Sequence, residues 1–260
     1  MSTIHQFAVV HKNARIGEDV SIGPFAVIGE HVTVGDGCQI GAHVVIDGWT
    51  EIGEGCEFYT GAVIGSPPQD LKYHGEKTRL IVGKQSVFRE YVTVNIGTEG
   101  GGGVTSLGDH CLMMAYSHVA HDCQLGNHVI LANCVALSGH VTIEECAVIG
   151  GLSGMHQFVR IGAYCMIGGC SGIAQDVPPY MMAVGERAKV YGLNSIGLKR
   201  HNFSRESIKG LQKAHKILFR SKLSVKHAVE RIKKEVPDCA EVDHLIEFIE
   251  GSERGICGGV

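Results

Sequence analysis

Along most of the chain an apolar residue returns every six positions. The series runs Ile4, Val10, Ile16, Ile22, Ile28, Val34, Ile40, Ile46, Ile52, Phe58 and Ile64. It resumes at Val82, Phe88 and Val94. It resumes again at Leu107 and continues through Met113, Val119, Leu125, Leu131, Leu137, Ile143, Ile149, Met155, Ile161, Ile167 and Ile173. Glycine often follows the apolar residue, as in IGEDVS and IGPFAV. A period of six fits neither a 3.6-residue helix nor the two-residue alternation of a strand. It predicts a parallel β-helix of hexapeptides, each a short strand and a turn, with three making a triangular coil of about 18 residues. An antiparallel sandwich would instead space its strands irregularly, about 8–12 residues apart.

The comb breaks twice. Residues 65–81, GSPPQDLKYHGEKTRLI, and about 95–106, NIGTEGGGGVTS, should leave the prism as loops, and ejected loops of a solenoid tend to form a binding face. From about residue 190 the pattern becomes helical. Ile208, Leu211, Leu218 and Phe219 form one stripe behind Ser204, a candidate N-cap. Ser224 likewise precedes Val225, Ala228, Val229 and Ile232, with Pro237 beyond them. Val242, Leu245, Ile246 and Ile249 end at Gly251. The expected organisation is a prism over 1–190 and a helical domain over 191–260.

Composition narrows the setting. Ten cysteines without a C-x-x-C pair, in a chain whose start lacks a secretory signal, read as reduced thiols of a cytoplasmic protein. No apolar run is long enough to span a membrane. The net charge of −4 is unevenly spread: residues 192–260 hold 13 Lys and Arg against 9 Asp and Glu, and the rest holds 10 against 18. A basic tail on an acidic prism points to an anionic partner at that end.

The six-residue register also places the chemistry. SHVAHDC, residues 117–123, puts His121 two places after Val119; Gly139 and Gln157 stand two places after Leu137 and Met155. His121, Gly139 and Gln157 therefore form one column, Asp122 and His140 the next, and His156 adjoins them. A histidine oriented by an aspartate can act as a general base. A glycine N–H, open for want of a side chain, can stabilise an oxyanion. His110 and His128 stack on another side with little chemistry nearby, and Cys123 reads as a small packed side chain.

The comb, together with QDLKY (69–73), HVAHDC, LSGHVTI, MHQF, GGCSGIAQDVPPY and GLKR before an FSRE helix, resembles the UDP-N-acetylglucosamine O-acyltransferase family, which begins lipid A biosynthesis. That resemblance implies a left-handed parallel β-helix with a C-terminal α-helical domain, assembled as a homotrimer with active sites between subunits. It implies transfer of a 3-hydroxyacyl chain from acyl carrier protein to the sugar 3-hydroxyl, with no metal and no cofactor beyond the carrier's own phosphopantetheine. It makes His121 the base, Asp122 its orienting partner and Gly139 the oxyanion donor. Gln69, Asp70, Lys72, His118, His140, His156 and Gln157 then contact the sugar and acyl groups, and Asn194 and Arg200 the nucleotide. Gly169 and Arg187 bear on acyl length; a glycine at 169 leaves room for a longer chain. The chain departs from the family pattern at His201, Ile196 and Arg187, where many members have arginine, an acidic residue and histidine.

Two other readings use the same residues. Three histidines, His118, His121 and His140 or His156, suit a zinc anhydrase built on hexapeptides. That family lacks the QDLKY loop and the helical tail. A non-catalytic scaffold is the third.

Overall fold

The computed structural model describes residues 2–260. The chain winds into a left-handed, three-sided prism whose faces are sheets of eleven, nine and eight strands. Most strands are two residues long, and the second residue is the comb residue, pointing inward. Ile22, Ile28, Val34, Ile40 and Ile46 are all at most 2% exposed. Successive coils pair in parallel: Ile4 with Ile22, Ile22 with Ile40, Ile40 with Phe58. Each comb residue thus stacks on its equivalents above and below. Cutting one such side chain back to Ala would cost about 2–5 kcal/mol, because the stack cannot collapse around the hole.

Three corners join the faces. The first corner links the eleven-stranded first face to the nine-stranded second, the next links the second to the eight-stranded third, and the last starts a new coil. Corner backbone often takes a left-handed conformation on non-glycine residues; Asp122, His140 and Phe158 repeat it at φ 60°, 63° and 65° in successive coils. Corner carbonyls lie outside the strand ladders, and buried thiols and hydroxyls reach them. Cys38 Sγ donates to Gly53 O, Cys56 Sγ to Gly83 O, Ser86 Oγ to Gly108 O and Cys111 Sγ to Gly126 O, all at 3.1–3.2 Å. This explains much of the cysteine content without redox chemistry.

Both loops leave the prism where expected, though they are shorter. Strands Val63–Ser66, Arg79–Val82 and Val104–Leu107 extend into the ranges 65–81 and 95–106, leaving loops at 67–78 and 96–103. Arg79 pairs with both Trp49 and Val104, so the ladder holds beyond the inward residue that the comb registers. Phe58 pairs with Phe88, and Phe88 with Met113, so the coils stack on without a slip around each loop.

The prism ends in an antiparallel hairpin, Met181–Val184 with Lys189–Leu193, that the comb did not reveal. The sheet therefore runs to Leu193, past the expected boundary at 190. Four helices follow: α1 Ser195–Arg200, α2 Arg205–Arg220, α3 Val225–Glu235 and α4 Ala240–Glu250. Ser204 and Ser224 cap α2 and α3 through their hydroxyls, as their positions suggested. The chain then turns back, and Cys257 N donates to Asp176 O at 2.8 Å. Arg160 fixes the end of α4: its guanidinium donates to Gly251 O at 2.9 Å and covers the Phe248 ring at 4.3 Å.

Candidate active site

Val119, Leu137 and Met155 pair in register on the second face. The residues two and three places on therefore meet at the corner between the second and third faces. Both ejected loops leave from the same corner. His121 lies over Gly139 so closely that a Cβ there would stand 2.5 Å from the imidazole Cε1. The Gly139 N–H makes no hydrogen bond to any described residue.

The hydrogen bonds fix how His121 is oriented. Asp122 has no exposed side-chain surface, yet its carboxylate takes three donors. Thr98 N donates to Oδ1 at 2.8 Å, Thr98 Oγ1 to Oδ2 at 2.6 Å, and His121 Nδ1 meets Oδ2 at 2.7 Å. An ionised carboxylate only accepts, so Nδ1 is the donor to Asp122, and Nε2 is the ring nitrogen left for a substrate. Two more contacts hold the aspartate: its N–H donates to the buried Thr105 hydroxyl at 2.8 Å, and Gly101 packs against its carboxylate.

Around this pair stand His140 and His118. His140 stacks on Phe158 at 4.3 Å and meets His121 edge-on at 5.1 Å. Burial pushes its imidazole below the ordinary histidine value, against the opposing pull of Asp122 and Asp70. Asp70 belongs to the longer loop, 67–78. Its Oδ1 accepts from Lys72 N at 3.0 Å, while the side chains of Gln69 and Lys72 face solvent. His118 Nδ1 meets Thr93 Oγ1 at 2.7 Å; burial, then the neighbouring His121, lowers its proton affinity. His156 and Gln157 are exposed in the next coil, where Arg254 from the tail comes within 3.3 Å of His156 Nδ1. A cavity of about 570 Å³ runs from His140 and Phe158 to Arg160 and Arg254. Burial pushes the Cys123 thiol up to about 12, so it is no thiolate at neutral pH.

Four expected residues lie elsewhere within the chain. Asn194 and Arg200 belong to the corner between the third and first faces. The Asn194 amide is already engaged, accepting from Gly197 N at 3.1 Å as the N-cap of α1 and donating to Tyr164 O at 2.9 Å. Arg200 is exposed at the end of α1. Gly169 is exposed at the corner between the first and second faces, and Arg187 in the turn of the hairpin. A single chain does not gather these four beside His121.

His121, Asp122 and His140 bring ligand atoms within 4.8 Å of one another, the one such set among the described residues; His118 and His156 stand outside it. The Asp122 oxygens are already taken by Thr98 and His121, which leaves a cation few acceptors. Sequence reasoning missed Thr98, Gly101, Thr105 and Arg254. The glycine run 100–103 signalled an unusual loop, but nothing in the spacing said that it would close over Asp122.

Residues 176–257 match the family described as "Udp N-acetylglucosamine O-acyltransferase; Domain 2", and residues 31–66 and 105–139 match bacterial transferase hexapeptide repeats. The acyl-[acyl-carrier-protein]--UDP-N-acetylglucosamine O-acyltransferase of Thermodesulfovibrio yellowstonii is 52% identical, over 99% of this chain and all of the relative. That of an Anaeromyxobacter species is 51% identical over 97% of this chain and 98% of its own. The solved structure of LpxA from Acinetobacter baumannii superposes with a TM-score of 0.95 at 43% identity, covering 98% of this chain and 99% of the other.

Proposed function

This chain belongs to the UDP-N-acetylglucosamine O-acyltransferase family, and on that footing we propose that it moves a 3-hydroxyacyl chain from acyl carrier protein to the 3-hydroxyl of UDP-N-acetylglucosamine, the opening step of lipid A biosynthesis. The observation that carries the reading is His121, held at Nδ1 by Asp122, against the Gly139 N–H, which makes no hydrogen bond to any described residue. Nε2 takes the proton of the sugar hydroxyl as its oxygen attacks the thioester carbonyl. The oxyanion forms against the Gly139 N–H. Its collapse breaks the C–S bond, and the phosphopantetheine sulfur leaves with the proton returned from His121. Asp122 stays ionised throughout and stabilises the imidazolium. Direct transfer of this kind uses no metal and no covalent intermediate, and Cys123 has no part in it. His140, His156, Gln157 and His118 line the groove, with Gln69, Asp70 and Lys72 closing it over the sugar.

Three identical subunits complete the site. The outward row of the second face is Val9, Val27, Val45 and Val63 in the lower coils, then Thr93 and His118, and Ala136, Gly154 and Gly172 in the upper ones, with no Asp, Glu, Lys or Arg. The upper outward row of the first face is Leu112, Ile130, Val148 and Met166. The third face is polar, with Arg15, Glu51, Gln124, Thr142 and Arg160. Packing the second face of one copy on the first face of the next buries the apolar rows and leaves the polar face wet. It places the His121 corner beside a neighbour's Asn194 and Arg200, where an arginine suits the diphosphate. The corner between the two buried faces then lies at the threefold axis. Its exposed rings stack coil on coil, Phe7 on Phe25 at 5.5 Å and Tyr91 on Tyr116 at 5.2 Å. Ala136, Gly154 and Gly172 leave a slot for the acyl chain toward Gly169, whose lack of a side chain suits a medium-to-long chain. The basic tail suits an acidic carrier protein.

The test is mass spectrometry of the product formed from UDP-N-acetylglucosamine and a series of 3-hydroxyacyl carrier proteins. We expect one O-acylated sugar nucleotide, strongest with a medium-to-long chain. No acyl transfer from any carrier thioester would overturn the proposal.

A further inference from the structure

We infer that the short loop 96–103 is a working part of the base, with Thr98 as a positioning residue that sets both the orientation and the charge of Asp122. The inference rests on the reading of His121 given above and deepens it. Asp122 occupies a left-handed backbone position, where an aspartate has no regular ladder to hold it. Thr98 supplies two of the three donors to its carboxylate, one to each oxygen, at 2.8 and 2.6 Å. Two donors on different oxygens of one carboxylate define its plane, as a single bond would not. The third direction is left to His121 Nδ1.

Thr98 is itself fixed. Its Oγ1 accepts from Gly101 N at 3.1 Å, and its carbonyl accepts from Gly103 N at 2.8 Å. The hydroxyl accepts from Gly101, and because a carboxylate only accepts, its hydrogen is directed at Asp122. Gly101 closes the lid: a Cβ there would stand 2.1 Å from the carboxylate, so only glycine lets the loop seal Asp122 from water. Gly102, at φ 95°, then turns the chain back toward the ladder. A buried carboxylate that loses a donor becomes more basic. It would then hold the protonated His121 more tightly and make the free base scarcer at a given pH. The titratable groups facing His121 are Asp122, His118 and His140, with Asp70 acting on His140.

The test compares Thr98→Val, Thr98→Ser, Gly101→Ala and His121→Ala in the full-length enzyme. Steady-state kinetics are measured across pH 5.5–9, with thermal unfolding to confirm the fold. Thr98→Val keeps the shape and the N–H but removes the hydroxyl. We expect it to lower kcat roughly 10- to 100-fold, the scale of a mispositioned catalytic group. KM for the sugar nucleotide should stay near wild type, and the acidic limb of the kcat profile should move to higher pH. Thr98→Ser should restore most of the rate and the original limb. Gly101→Ala, which pushes on the carboxylate and leaves Thr98 intact, should lower kcat as well. If Thr98→Val and Gly101→Ala keep wild-type kcat and pH profile while His121→Ala is inactive, the loop has no such role. Equal loss in Thr98→Val and Thr98→Ser would also overturn it, since the hydroxyl would then not be the operative group. Full turnover by His121→Ala would instead bring down the assignment of the base.

Discussion

His121 rests against the residue of the next coil that has no side chain: a Cβ on Gly139 would come within 2.7 Å of Nε2. The proposed base and the proposed oxyanion donor thus meet in one contact between adjacent coils.

Gly139→Ala tests that contact. The backbone there does not need a positive φ, so the added methyl acts on His121 and not on the turn. We expect kcat to fall by about 10²-fold or more, as for a catalytic group displaced by about 1 Å, with little change in melting temperature. An alanine variant with wild-type kcat would detach Gly139 from the chemistry.

His121→Ala removes the proposed base and leaves the ladder intact, because His121 is not a comb residue. General-base catalysis contributes typically 10²–10⁴-fold, and kcat should drop by about that much. Sedimentation and circular dichroism should report an unchanged assembly. His121→Gln, which keeps a side chain of similar reach but cannot take the proton, should be as slow.

The helical domain is tied to the prism through a histidine, which makes the tie depend on pH. His244 Nε2 bridges to Glu144 at 3.0 Å, and Nδ1 meets Tyr180 Oη at 2.8 Å. The Glu144 hydrogen bond raises the proton affinity of His244 against the opposing effect of burial, and Glu247 and Glu145 add to it. The folded value lies above the unfolded one, so this stability is fully present below pH 6.5 and fades as the pH climbs through the raised value. The pair is partly solvated, and its worth is about 0.5–1 kcal/mol. Glu144→Gln should therefore lower the urea midpoint at pH 5.5 and scarcely alter it at pH 9. An equal loss at both pH values would mean that charge plays no part.

Cys134 and Cys170 are both exposed in the isolated chain, at the corner assigned to the threefold axis. Iodoacetamide should label them rapidly only after the assembly is dissociated, whereas buried Cys111, Cys123 and Cys165 should react only on unfolding. Fast labelling of Cys134 and Cys170 in the native oligomer would place that corner on the outside.

The prism was legible in the sequence because its repeat is enforced by stacking: every interior position meets its own equivalent, so one period specifies register along most of the chain. The same register brings His121, Asp122, Gly139 and His140 together. Thr98 was not legible, because the loop that carries it obeys no period and its contact with Asp122 depends on a fold-back through Gly101 and Gly102. The hairpin at Met181–Val184 escaped for a related reason: it closes the ladder antiparallel, where the comb has no further coil to predict. Asn194 and Arg200 were named from resemblance alone, and within one chain they stand at a different corner from His121.

The return of residues 254–257 to the prism orders the events of synthesis. Coils can stack on one another as they leave the ribosome, each finding its template already in place. Arg254, beside His156, and Cys257, on Asp176, follow every coil along the chain. The groove therefore gains its outer wall only after the ladder is made, and a nascent chain that has not yet reached Arg254 carries a finished ladder with an unfinished cleft.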